Sequence, residues 1–131
     1  MIFIDSNVPM YLVGAEHPHK TRSRQLIAGL IAAGERLVTS AEVFQEILHR
    51  YTAIDRRDAI RPAWDLLAEI VDSVFPIELE DVERARDLAL ERADLSARDA
   101  LHTAVMRRHG VARIFSFDGR FDAVRGVSRL A

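Results

Sequence analysis

The feature that most constrains this chain is its regular alternation of short apolar runs with longer segments of helical spacing. Residues 2–4, 36–38, 74–77 and 111–115 are apolar runs too short for helices, and residues 127–130 make a fifth candidate. Between them, apolar positions recur every three to four residues, as in Leu26, Ile27, Leu30 and Ile31, or Val43, Phe44, Ile47, Leu48 and Tyr51. Parallel strands need a crossover between them, usually a helix, so this order predicts an α/β fold with a mainly parallel central β-sheet flanked by α-helices. Helices are expected over residues 5–12, 20–33, from Thr39 or Ser40 past Tyr51, 55–73, 81–93 and 96–109. Gly34 and Gly110 supply helix stops. Gly14 to Pro18, with His17 and His19 around it, reads as a loop, and residues 117–126 read as a polar loop or short turn.

A length of 131 residues fits a single domain, and no repeat, linker or low-complexity tract divides it. Hydrophobic residues make up 49% of the chain and charged residues 29%, which supports a packed core rather than disorder. The formal net charge is −2, so bulk electrostatics does not point to nucleic acid and any such contact must come from local patches. There is no cysteine, which excludes disulfides and thiolate metal sites. The first residues lack a basic region and a long apolar stretch, and no apolar run approaches the roughly 20 residues of a membrane helix. A cytoplasmic protein without membrane contact is expected.

In open α/β sheets, ligands gather beyond the carboxyl ends of the strands. Asp5 leaves the first strand; Ser40, Glu42 and Glu46 follow the second; Ser116 and Asp118 follow the fourth; and Asp99 lies in the first turn of the helix feeding that strand. Each acid also has a plain structural reading. Asp5 can cap a helix, Asp99 stands at capping-box spacing from Ser96, Glu42 stands at the same spacing from Thr39, and Asp118 followed by Gly119 can be a turn. Glu46 has no capping role, because it lies mid-helix among Phe44, Ile47 and Leu48. Carboxylates crowded at one sheet edge repel one another and raise some of their pKa values, so such a cluster is costly unless a cation is its purpose. Magnesium held by a few carboxylates can activate water and neutralise charge on a phosphodiester under attack.

Met1-Ile-Phe-Ile-Asp-Ser-Asn7, Thr39-Ser40 with Glu46 six residues on, Ser96-Ala-Arg-Asp-Ala-Leu-His102 and Ser116-Phe-Asp-Gly-Arg-Phe121 occur in this order. Together they resemble the PIN-domain family, in particular the VapC-type toxin ribonucleases of toxin–antitoxin pairs, from Asp5 to Phe121. The resemblance implies a single PIN-like domain over residues 1–131 and an endoribonuclease dependent on Mg2+ or Mn2+. Its metal-site acids would be Asp5, Glu46, Asp99 and Asp118. Asn7 and Ser116 match supporting positions, while Asp122, one turn after Asp118, and Glu42 are further candidates. His102 is expected to be structural or to back the acids rather than to bind metal, because magnesium prefers oxygen. The resemblance also implies an RNA substrate, a homodimer and a cognate antitoxin.

Arg107, Arg108 and Arg120, with Arg125 and Arg129, are candidates for RNA backbone contact near the site. Arg50, Arg56, Arg57 and Arg61 read instead as a solvated face. A non-catalytic PIN-like module binding RNA or protein is the alternative, and crowded acids argue against it. A phosphoacceptor domain needs a lysine at the site, and Lys20, the only lysine, lies in an early helix.

Overall fold

The computed structural model describes residues 1–131. The strands are β1 (Ile2–Ile4), β2 (Leu37–Ser40), β3 (Ser73–Phe75), β4 (Arg113–Phe115) and β5 (Ser128–Leu130). The helices are α1 (Asn7–Val13), α2 (Pro18–Ala32), α3 (Ala41–Ala53), α4 (Ile60–Ile70), α5 (Leu79–Glu91) and α6 (Ala97–Arg108). Every strand pairing is parallel, in the order β3-β2-β1-β4-β5. The chain winds outward from β1 to β3, then returns to build β4 and β5 on the other side. The reversal lies between β1 and β4, and such a switch point opens a crevice at the carboxyl ends of the two strands. Ile4 pairs with Phe115 there, so Asp5 and Ser116 emerge side by side.

β1 is buried along its whole length because it is the central strand, covered on both faces. Ile2, Phe3, Ile4, Leu37, Ile114 and Phe115 form the centre of the core, each contributing roughly 1.5–3 kcal/mol through burial. α6 runs through the interior: Ala100, His102, Thr103, Ala104, Val105 and Met106 are all buried. Small residues let it pack against α5, and the Thr103 hydroxyl is satisfied by donating to the Asp99 carbonyl at 2.8 Å. α2 stops at Gly34 and α6 at Gly110, both with positive φ (74° and 69°), which glycine adopts without strain.

The boundaries differ from expectation where local chemistry intervenes. α2 begins at Pro18 rather than Lys20, because the His17 ring accepts the His19 amide and Pro18 suits the first turn. The two histidines therefore cap and open a helix rather than sit in a loop. β2 extends through Ser40, and the Thr39 hydroxyl donates to the Ile4 carbonyl at 2.8 Å, so Thr39 is not a helix cap and the capping role expected of Glu42 falls away. The helix expected over residues 55–73 is broken by a left-handed turn at Asp55 (φ 55°) and a short 3-10 turn at Arg57–Ala59. Pro76, which has no amide donor, follows the end of β3 at Phe75. The loop after β4 contains a 3-10 turn, Gly119–Ala123.

Candidate active site

The switch point gathers the acids. Asp5, Glu46, Asp99 and Asp118 line one cleft of about 400 Å³, together with Ser6, Asn7, Ser96, Arg98 and Arg120. Asp5 is set there by the end of β1, where its amide donates to the Phe115 carbonyl at 3.0 Å. One carboxylate oxygen accepts the Ser6 amide at 2.7 Å, and the other accepts the Ser116 hydroxyl at 2.5 Å and the Asn7 side chain at 3.4 Å. Asn7 also donates to Ser116 and accepts the Phe117 amide, both at 3.3 Å, so it ties α1 to the loop after β4. Ser116 in turn accepts the Asp118 amide at 3.0 Å. This network fixes Asp5 and aims the Asp118 loop at the cleft.

Glu46 enters from α3, and Ser6 donates its hydroxyl to it at 2.9 Å. Beneath it lies His102, fully buried, with Nε2 against Glu46 Oε1 and 3.9 Å from Asp5 Oδ1. Neither ring nitrogen makes a hydrogen bond, so His102 meets Glu46 as a close charge contact. Asp5, Glu46 and His102 bring ligand atoms within 4.8 Å of one another. His102 nevertheless does not line the cleft: its ring packs against Phe3, centroids 5.5 Å apart, below the acids.

The electrostatics are those of acids short of cations. Burial raises the Asp5 pKa, and the Glu46 charge adds to it, against the opposing pull of His102 and Ser116. Burial and then the charges of Asp118 and Asp5 lift Asp99 to about 6. Burial also presses upward on Glu46, but His102, with Ser6 and Arg98, outweighs it and leaves the group below its ordinary value. Burial disfavours the charged form of His102, yet Glu46, Asp5 and Asp99 overcome it and hold the imidazolium up to a pKa of about 9. A buried histidine thus serves as a cation under the cluster, and the open side of the cleft presents the oxygens that a hard divalent ion prefers.

Other expectations are redistributed. Glu42 lies outside the cleft, in the first turn of α3, where burial and the Glu46 charge raise its pKa. Asp99 keeps only half of a capping box: its amide donates to Ser96 at 3.1 Å while its carboxylate lines the cleft. Asp118 does cap the 3-10 turn, accepting the Arg120 amide at 3.0 Å, and lines the cleft as well. Asp122 does not reach the cleft; an exposed two-pronged pair with Arg129, both contacts 2.9 Å, holds it away. Arg107 and Arg108 lie at the opposite end of α6 from Asp99, about 12–14 Å along the axis. Arg108 is spent on Asp81, at 2.6 and 2.8 Å, and Arg107 donates to the Arg125 carbonyl at 3.0 Å. Both line a separate depression of about 500 Å³ between α5 and α6 whose Arg84 is already paired with Glu80. Of the arginines read as RNA contacts, Arg120 alone borders the acids. Sequence reasoning does not single out Ser6 and Arg98; their positions beside Asp5 and Asp99 are the signal that could have found them.

The PIN domain family model matches residues 2–127. Ribonuclease VapC13 of Mycobacterium tuberculosis is 58% identical over 131 residues, covering all of both chains. Among solved structures, the Mycobacterium tuberculosis toxin VapC20, described as cleaving the sarcin–ricin loop, superimposes with a TM-score of 0.76 at 26% identity over 94% of each chain. VapBC2 from Rickettsia felis, solved with a DNA fragment of its promoter, gives 0.75 at 12% identity over 99% of this chain and 98% of that one, a likeness of fold. With a family match over nearly its whole length and a full-length relative at this identity, the chain belongs to the PIN-domain family, among the VapC ribonucleases.

Proposed function

We propose that this protein is a metal-dependent endoribonuclease that cuts RNA phosphodiesters in the cleft between Asp5, Glu46, Asp99 and Asp118, and that it acts as the toxin of a toxin–antitoxin pair. The single observation that carries the chemistry is that four acids from different segments line one cleft whose only buried counter-charge is His102. Asp5, Asp99 and Asp118 would hold the ion, Glu46 would complete the set, and Mg2+ or Mn2+ suits their oxygens. When bound, the ion supplies the acidity that activates water and the charge that stabilises the phosphorane-like transition state.

The chain's own residues do the positioning. Ser116 and Asn7 hold one Asp5 oxygen, leaving the orientation of that carboxylate no freedom to relax from its neighbours. Ser6 and His102 hold Glu46 ionised at neutral pH. Asp99, with a pKa of about 6, is ionised at pH 7.5 and takes up a proton in mild acid. Arg120 and Arg98 stand at the rim, where a phosphate approaches.

A cognate antitoxin is proposed from the toxin and VapBC descriptions of the relatives. A homodimer is proposed from the family resemblance, with the partly exposed apolar surface of Phe44, Leu48, Trp64 and Val74 as its candidate contact. Light scattering of the isolated protein tests the dimer.

The nuclease reading is tested by incubating total RNA with the antitoxin-free protein and Mn2+ or Mg2+. Discrete fragments are expected, absent with chelator and absent with Asp5→Asn or Asp99→Asn. Cleavage that survives both substitutions would refute the site, and well-folded protein that leaves all RNA intact would favour a non-catalytic binding module.

A further inference from the structure

A second cleft, of about 570 Å³, opens from the first and runs between α1 and the end of α3. Ser6, Asn7, Glu46, Arg98 and Asp118 border both, so the two form one continuous groove. Its far part is walled by Met10 and Tyr11 on one side and by Arg50, Tyr51 and Ile54 on the other. Several surface arginines are held by acids, as Arg84 by Glu80, Arg92 by Asp94 and Arg129 by Asp122. Arg50 and Arg98 have no carboxylate within ion-pair reach, although Arg98 lies close enough to lower the pKa of Glu46. The guanidiniums of Arg50 and Arg98 are thus free along this groove, and that of Arg120 is free at the acids themselves.

The Tyr11 ring is backed by other rings. Its centroid lies 4.9 Å from those of His17 and His19 and 5.3 Å from that of Phe117, and His19 stacks on Phe117 at 4.1 Å. The amide of Phe117 donates to Asn7, which binds Asp5, so this aromatic wall is joined rigidly to the acid network. An aromatic wall flanked by unpaired arginines is the chemistry that takes up unpaired nucleotides: the ring stacks a base and the guanidiniums take phosphates.

We infer that a single-stranded RNA segment on one side of the scissile phosphate lies in this groove, with a base against Tyr11 and the adjoining phosphates on Arg50 and Arg98. The inference rests on the nuclease reading and names the strand's path and the form of RNA accepted. Arg50, Arg98 and Tyr11 are positioning residues, so their loss acts on binding before it acts on the chemical step.

The test uses a fluorescein-labelled mixed-sequence RNA of 12 nucleotides, single-stranded or annealed to its complement, binding to the full-length Asp99→Asn protein with Mg2+. Arg50→Ala and Arg98→Ala are each expected to weaken single-strand binding about three- to tenfold and to flatten the salt dependence by about 0.7 in log–log slope for each phosphate interaction removed. Tyr11→Leu is expected to weaken it about tenfold at unchanged slope, Tyr11→Phe to restore it, and the duplex to bind less well than the single strand. In the cleaving protein, Arg50→Ala and Tyr11→Leu should raise KM by a larger factor than they lower kcat. Melting curves and the Tyr11→Phe chain separate lost stacking from lost folding. Unchanged affinity and slope in all three variants, or a parent protein that binds no RNA, would overturn the inference and leave the groove to a polypeptide. If the wild type cleaves RNA and the groove variants keep its KM, the groove fails while the nuclease reading stands. Groove-dependent binding without cleavage means the reverse: the groove stands and the nuclease reading fails.

Discussion

Two buried carboxylate sites in this molecule are built on opposite principles. Asp81, in the first turn of α5, has no solvent exposure and is fully satisfied: Arg108 grips it with two hydrogen bonds and the Glu78 amide adds a third at 2.9 Å. The Arg108 hydrogen bonds hold its pKa below the ordinary carboxylate value. Asp5, Glu46 and Asp99 are nearly as buried, yet they face one another, and their one buried cation is a histidine below them. Asp5 and Asp99 are pushed upward in pKa instead. A fold that buries an acid for stability gives it an arginine. Acids crowded without an arginine stay under-neutralised, and on the proposed function that deficit is what an incoming cation would fill.

The sharpest way to break this contrast is Asp5→Asn. At the cleft it should cost at least about a thousandfold in metal-dependent RNA cleavage, about 4 kcal/mol of transition-state stabilisation, with the melting temperature of metal-free protein held or raised. A metal-free protein that unfolds on this substitution would make Asp5 structural. At the other site, Arg108→Ala should act in reverse. It strands the Asp81 carboxylate, lowering the melting temperature by on the order of 10 °C while cleavage at low temperature stays near wild type. A large loss of activity in a folded Arg108→Ala chain would restore this arginine to the active site.

The pH dependence sharpens the comparison further. Asp99 has its pKa raised to about 6, so its ionisation costs stability progressively as pH rises from about 4 to 6. His102, raised to about 9, contributes stability that is complete below its ordinary value near 6.5 and lost as pH rises through 9. Both act in the same direction, whereas the lowered Glu46 matters only below about pH 4.5. Metal-free protein should therefore lose stability between pH 5 and 9, and Mn2+ should restore part of it at pH 7.5 but not at pH 5, where Asp99 is protonated. Melting curves that are flat with pH, or a manganese effect equal at both values, would contradict this account. The smallest effect belongs to Asp122→Asn, whose exposed pair with Arg129 should leave cleavage within about twofold of wild type. A loss as large as that of Asp5→Asn would return Asp122 to the metal site.

Much of this is legible in the sequence because it depends on local pattern. Helical periodicity, glycine stops and strand-length apolar runs do not require knowledge of what packs where, so β1, α2, α6 and the parallel α/β class follow from the residues alone. Asp5 and Asp118 are legible as strand-exit acids, and Glu46 and Asp99 as helix residues near the same edge, because the order of elements fixes which ends share it; that these four form one set is what the family resemblance implies. Boundaries are lost where a side chain makes a non-local bond, as when Thr39 turns to the Ile4 carbonyl and prolongs β2.

What only the tertiary structure decided is the state of each charge. Sequence cannot say that Arg108 meets Asp81, that Arg129 draws Asp122 away, or that Arg50 and Arg98 are left unpaired beside the acids, since each depends on which helices face each other across many residues. A structural or backing place for His102 is already the sequence's expectation, but only packing sets its ring beneath Glu46, outside the cleft. The chain's pattern chose the fold and the edge where acids collect. Packing then decided which charges cancel, because an ion pair forms over a few ångströms of space and is blind to distance along the chain.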